Sequence, residues 1–328
     1  MKPITAFLFV SALIPPVRAQ EPMKTITIKD PAYDMEVTIW PSLGNNAGAF
    51  KIHGQNVFWV PPNWPAPALA GNPILAPWAN RFDQDAFYAN GKKYLLNPEL
   101  NNVRRDPNGH PIHGLLAFSS LWQVVAQKPD EVTSRLEYWK YPDLMAQFPF
   151  AHTIEMTYRL AGGALEVRTR VENHSAEPMP MAVGYHPYFR LTDAPRDDWK
   201  VNLAAREHVV LSKDLVPTGE REPVPFSNPV RLGATSLDDV FTGLVRDDRG
   251  RAVFSVEGKK QKLSVIYGPK YTVAIVYAPP GRDFICFEPM SALTNGFNLA
   301  HEGRYPELQY VAPGAVWEES YWVKPEGF

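Results

Sequence analysis

Five short stretches of this chain gather residue types that move protons or hold polar ligands. The first is Gly184-Tyr185-His186-Pro187-Tyr188-Phe189, a single imidazole among aromatic rings. Histidine is the side chain whose ordinary pKa lies nearest neutrality, so it exchanges a proton under mild conditions. The rings beside it form an apolar wall of the kind that takes a sugar ring. The second stretch is Phe284-Ile285-Cys286-Phe287-Glu288-Pro289, which places a carboxylate at the end of an apolar strand. Desolvation there raises the pKa of the acid and makes it a better proton acceptor than a solvated one. Each has a plainer alternative: a core imidazole satisfied by a backbone carbonyl for His186, and a structurally paired acid for Glu288, although burying a carboxylate is costly.

The remaining three are Asn80-Arg81, Gly109-His110-Pro111-Ile112-His113-Gly114 and Leu237-Asp238-Asp239-Val240-Phe241. Arg81 reads either as a ligand-holding cation or as the partner of a structural carboxylate, and Asp238 as a ligand or a turn residue. His110 and His113 suggest a metal by their spacing. Pro111 between them opposes a helix that would present both on one face, and no third ligand follows at a familiar interval, so no metal site is expected.

Strands must position these groups. Residues 154–160 and 165–171 alternate apolar and polar on either side of Gly162-Gly163, which predicts a hairpin with one buried face. Thr25 to Ile28 and Met35 to Trp40 predict an opening hairpin, and Asn90-Gly91 predicts a two-residue turn. Further strands are expected at Trp122 to Ala126, Ala252 to Val256, Lys262 to Tyr267, Thr272 to Tyr277, Phe284 to Glu288 and Val316 to Val323. Residues 190–245 read as loop-rich, and the proline-rich run from Pro61 to Pro77 as a long loop or a series of short edges. With a dozen or more strands, no long helix and no compositional break, the expectation is an all-β fold, a large two-sheet antiparallel sandwich in one domain over residues 24–326.

Composition narrows the function. The chain has 328 residues, 45% of them hydrophobic, with 33 prolines and a formal net charge of -2, and no basic run or patch, which argues against nucleic acid as a partner. Residues 1–19, with Lys2, the apolar Ile4 to Ile14 and the small Val17 and Ala19, read as a cleavable signal peptide, too short to span a membrane. A periplasmic or secreted protein is expected, with no membrane association after cleavage. Cys286 is the single cysteine, so no internal disulfide is available.

Taken in order, Asn80-Arg81, His113-Gly114, Gly184 to Phe189, Asp238-Asp239-Val240-Phe241 and Phe287-Glu288 resemble the aldose 1-epimerase (galactose mutarotase) family. The resemblance runs from about Thr25 to Val323 and implies a galactose-mutarotase-like supersandwich that binds a free sugar without metal or organic cofactor. It implies that Glu288 takes the proton of the anomeric hydroxyl while His186 protonates the ring oxygen. Arg81 and His113, with Asn80 and Tyr188 in the same motifs, match groups that hold the sugar, and the hydroxyl-binding aspartate falls at Asp238 or Asp239. The chain departs from the family pattern at Ile112-His113-Gly114-Leu115 and at Tyr185-His186-Pro187. Two alternatives stay open. One is a hexose-phosphate 1-epimerase using Arg104-Arg105 or Arg190 for the phosphate; the other is a non-catalytic carbohydrate-binding protein, which would need no acid and base at opposite sides of a ring. The oligomeric state is not encoded in any recognisable pattern.

Overall fold

The computed structural model describes residues 23–65, 68–233 and 235–328, so the expected signal peptide lies outside the described residues. Two antiparallel sheets carry the molecule. One has nine strands, with Val316–Glu326 at its centre between Lys262–Tyr267 and Ala164–Asn173, and with Gln123–Gln127 at one edge. The predicted hairpin forms in full register from His152↔Asn173 to Ala161↔Ala164. Its Ile154, Met156, Tyr158, Leu160, Leu165, Val167 and Val171 are buried while the intervening charges are not.

The second sheet has eight strands. From one edge they run Pro217–Pro223, Ala205–Leu211, Leu237–Leu244, Val273–Ala278 and Ile285–Met290. The last of these pairs with two short pieces, Gly184–Tyr185 and Tyr188–Phe189, and Ile74–Leu75 follows Gly184–Tyr185 at the far edge. The two sheets pack face to face. Tyr185 packs at a tilt against Tyr321 with ring centroids 4.9 Å apart and is hydrogen-bonded to Thr169, and Phe287 meets Phe254 at 6.3 Å. These inward residues alternate with outward ones, as the pleat requires.

A separate four-stranded sheet holds the opening hairpin, Ile26–Asp30 with Met35–Trp40, extended by Asn46–Ile52. Asn90 and Gly91, both at positive φ, close the predicted two-residue turn between Ala86–Ala89 and Lys92–Leu95.

Two expectations are corrected. Residues 190–245 hold more strand than expected: Lys200–Asn202, Ala205–Leu211, Pro217–Pro223, Val230–Arg231 and Leu237–Leu244. Near the sheet edge, Ala205–Leu211 buries only Val209 fully, so its charged residues hide the two-residue period that marks half-buried strands. The other correction concerns Glu288, which is not at a strand end, because the strand runs on through Pro289 to Met290.

Candidate active site

His186 and Glu288 are brought together by strand register. Gly184 pairs with Met290 and Tyr188 with Cys286, so the interrupted ladder sets His186 directly opposite Glu288. The backbone shows which kind of pair this is. His186 and Tyr188 donate their N–H groups to Pro73 and Gly71 on the far side, while Ser291 donates to Val183 across the gap. Tyr185 with Pro289 and Pro187 with Phe287 are therefore the pairs that would exchange hydrogen bonds, and each contains a proline without an N–H. His186 and Glu288 form the non-hydrogen-bonded pair between them, the kind in which side chains approach closest. Their Nε2 and Oε1 are 3.2 Å apart, and both side chains are buried. Acid and base thus stand side by side, not at opposite sides of a ring.

The same face carries the next row. Tyr277 pairs with both Cys286 and Asp238, and Ile275 with both Glu288 and Val240. Tyr188 stacks on the His186 imidazole with centroids 4.6 Å apart and planes within 13°. Tyr185, one residue away from His186, points to the other face and is fully buried in the core, so it offers nothing to a ligand. Asp238 and Asp239 separate in the same way. Asp238 is exposed and lines the cleft, whereas Asp239 lies 2.9 Å from Nε2 of His208, which also holds Glu222 at 2.9 Å.

Two loops form the opposite wall. Arg81 bridges to Ile112, and His113 N–H donates to the Asn80 carbonyl at 2.9 Å. Asn80 and His113 both sit at positive φ, where asparagine and histidine are among the more tolerated residues. Gly114 follows at φ +59, and a Cβ there would stand 2.2 Å from the Ala76 carbonyl oxygen, so only glycine lets this loop close on the sheet. Arg81 is aimed by two bonds: Nε donates to Asp106 at 2.6 Å and Nη1 to the Asn80 side-chain oxygen at 3.0 Å, leaving Nη2 outside both. Although burial raises the Asp106 pKa, the Arg81 guanidinium holds that carboxyl below its usual range. His113 stands edge-on to His186 with centroids 5.6 Å apart. Asn80, Arg81, Ile112, His113, His186, Tyr188, Asp238, Ile275, Tyr277 and Glu288 enclose a cleft of about 200 Å³.

Its electrostatics are unusual for a protein surface. Burial, reinforced by the charge of Asp238 and opposed by Arg81, pushes Glu288 well above the carboxylate range. Burial, with Arg104 and Arg81 adding repulsion, holds His186 down to about 3. Burial and the same cations keep His113 neutral as well. Burial thus moves the two groups apart, Glu288 upward and His186 downward, and a pair this close titrates as a unit. Three buried atoms at the cleft have no hydrogen-bond partner among the described residues: Nδ1 of His113, Nδ1 of His186 and Oε2 of Glu288. A ligand rich in hydroxyls supplies both donors and acceptors to such a set.

Sequence reasoning did not single out Ile112, Ile275, Tyr277 or Asp106. The strand alternation from Thr272 to Tyr277 would have placed Ile275 and Tyr277 on one face, whereas Asp106 lies in a loop whose pattern carries no signal. His110 is drawn to Asp106, 3.6 Å from Nδ1 to Oδ2, and not to His113. Among the described residues no group of three His, Cys, Asp or Glu side chains is gathered to hold a metal.

A two-sheet antiparallel sandwich of this kind is the fold of galactose mutarotase-like proteins. The aldose 1-epimerase family model matches residues 24–324, and the chain belongs to that family. It is 28% identical over 284 residues to the galactose mutarotase of Homo sapiens, covering 76% of this chain and 77% of that protein. It is 25% identical over 261 residues to the uncharacterised protein YihR of Escherichia coli, covering 77% and 80%. A galactose mutarotase-like protein from Clostridium acetobutylicum superposes with a TM-score of 0.79 over 90% of this chain and 94% of that one, at 21% identity.

Proposed function

We propose that this protein is an aldose 1-epimerase that interconverts the α and β anomers of a free aldose. The observation carrying this reading is the buried His186–Glu288 pair, 3.2 Å apart on the floor of a cleft walled by Arg81, His113, Tyr188 and Asp238. The anomeric hydroxyl and the ring oxygen are both bonded to C1, so the groups that serve them must be neighbours, as these two are.

The chemistry balances without a cofactor. With the shared proton on His186, the Glu288 carboxylate takes the proton of the O1 hydroxyl. The O1–H electrons form the C1=O bond, the C1–O5 bond breaks, and O5 accepts the proton of the His186 imidazolium. Glu288 is now protonated and His186 neutral, the distribution that burial favours. Rotation about C1–C2 presents the other face of the aldehyde, and the reverse transfers close the second anomer. Arg81, His113 and Asp238 are assigned to the hydroxyls, and Tyr188 to a face of the ring. A survey of mutarotation across neutral aldoses by polarimetry tests this reading. Acceleration of at least one is expected; tight sugar binding without acceleration of any would replace the enzyme with a carbohydrate-binding protein.

Export is proposed as well, on the strength of Lys2, the apolar Ile4 to Ile14 and the small residues before Gln20. Mass spectrometry of the native protein is expected to find a mature start near Gln20. An intact Met1 chain in the cytoplasm would end that proposal.

A further inference from the structure

Beside the cleft lies a second cavity, of about 420 Å³, lined among others by Arg104, Gly114, Phe118, Ser119 and Ser120. One loop touches both, with His113 lining the cleft and Gly114 lining this cavity. Arg104 is unlike the arginines around it. Arg81 is paired with Asp106, Arg105 with Asp85 at 2.7 Å, and Arg190 with Asp283 at 3.0 Å. Arg104 has no carboxylate within ion-pair distance among the described residues. Its guanidinium lies over the Phe118 ring, 5.1 Å from the centroid, and its buried Nη1 has no hydrogen-bond partner among the described residues.

Among the described residues no aspartate or glutamate lines this cavity. A half-buried cation with an unsatisfied donor is costly unless something pairs with it, and the planar fork of a guanidinium matches a carboxylate or phosphate. The charge also reaches the first cleft, where it weighs on His113, His186 and Tyr188.

We propose that Arg104 and its cavity form a subsite for an acidic substituent of the aldose, a carboxylate or a phosphate, so that this chain prefers acidic aldoses to their neutral parents. This rests on the aldose epimerase reading above and extends it from reaction to substrate class. Arg104 binds and orients and takes no part in proton transfer.

The test measures anomerisation (kcat/KM) and equilibrium binding for glucose, glucuronate and glucose 6-phosphate, and for the galactose series. The wild type, Arg104→Gln, Arg104→Lys and Arg105→Gln are compared. The wild type is expected to favour at least one acid over its parent sugar about tenfold or more, as a charge-assisted hydrogen bond allows. Arg104→Gln should remove that preference, Arg104→Lys should keep part of it, and Arg105→Gln should keep all of it. Whichever acid shows the larger ratio identifies carboxylate or phosphate. A wild type with no acid preference in binding or rate overturns the proposal even if the variants fail to fold. An acid preference untouched by Arg104→Gln overturns it equally. Wild-type protein that binds acids preferentially yet anomerises nothing would instead sink the enzyme reading and leave the subsite standing.

Discussion

Two outer sheet faces of this molecule present ionisable side chains in rows, and only one of them looks like a site. On the nine-stranded sheet Arg135, Glu155, Arg170 and Glu172 line a groove of about 480 Å³, more than twice the size of the cleft. Each charge there has its opposite beside it: Arg135 Nη2 lies 2.6 Å from Glu155 and Arg170 Nη1 2.9 Å from Glu172. These pairs stand in water, where each is worth roughly 0–1 kcal/mol. On the eight-stranded sheet His186 and Glu288 are buried 3.2 Å apart, and Nδ1 and Oε2 have no partner among the described residues. Strand alternation alone puts charge on both faces. What distinguishes a reactive face is desolvation with incomplete pairing, not the size of the depression.

Substitutions sharpen that contrast, beginning with the largest effect. Glu288→Gln and His186→Asn keep polar groups in place but remove a proton acceptor and a proton carrier. Each should lower kcat roughly a hundredfold or more with little change in sugar binding. A wild-type rate in either variant, measured by polarimetry, would remove that residue from the mechanism.

Next is the aim of Arg81. Asp106→Asn loses the charge on a 2.6 Å bond and should raise KM roughly tenfold while kcat changes less. An unchanged KM would make Arg81 a structural residue.

The pH profile follows from burial. With His186 held down to about 3, kcat/KM should stay level on the acid side until the pH approaches that value, where the pair takes a second proton. On the alkaline side the rate falls as the raised Glu288 carboxyl releases the pair's proton. An acid limb near 6.5, the ordinary histidine value, would show that His186 is solvated in the working enzyme.

The outer face should be nearly silent. Glu155→Gln is expected to shift stability by about 0.5 kcal/mol or less and to leave the rate alone, checked by urea unfolding and polarimetry. A rate loss there would make the larger groove functional. Exhaustive dialysis against EDTA should have no effect on anomerisation, and a loss restored by a divalent metal would contradict the proton-transfer scheme.

Much of this site was legible in sequence because its central residues interrupt apolar strands: a lone imidazole between tyrosines and a lone carboxylate after Phe287 stand out against their neighbours. Their mutual distance was not legible, since it depends on a register fixed by Gly184↔Met290 and Tyr188↔Cys286, far apart in the chain. Register also separates Asp238, which lines the cleft, from Asp239, which lies beside His208. The long hairpin at 152–173 was visible because one face is buried along its whole length. The strand Ala205–Leu211 was not, because near the sheet edge its charged side chains mask the period. Asp106 lies in a loop, where position follows from tertiary contacts alone.

The central claim is that His186 and Glu288 work as one unit that passes a single proton. The direct test is the anomerisation rate of the His186→Asn/Glu288→Gln double variant against each single variant, measured by NMR exchange between anomers of the best substrate. The account predicts that the double variant is about as slow as either single one, because removing one member already disables the pair. Losses that multiply, with each residue contributing its own independent factor, would contradict it.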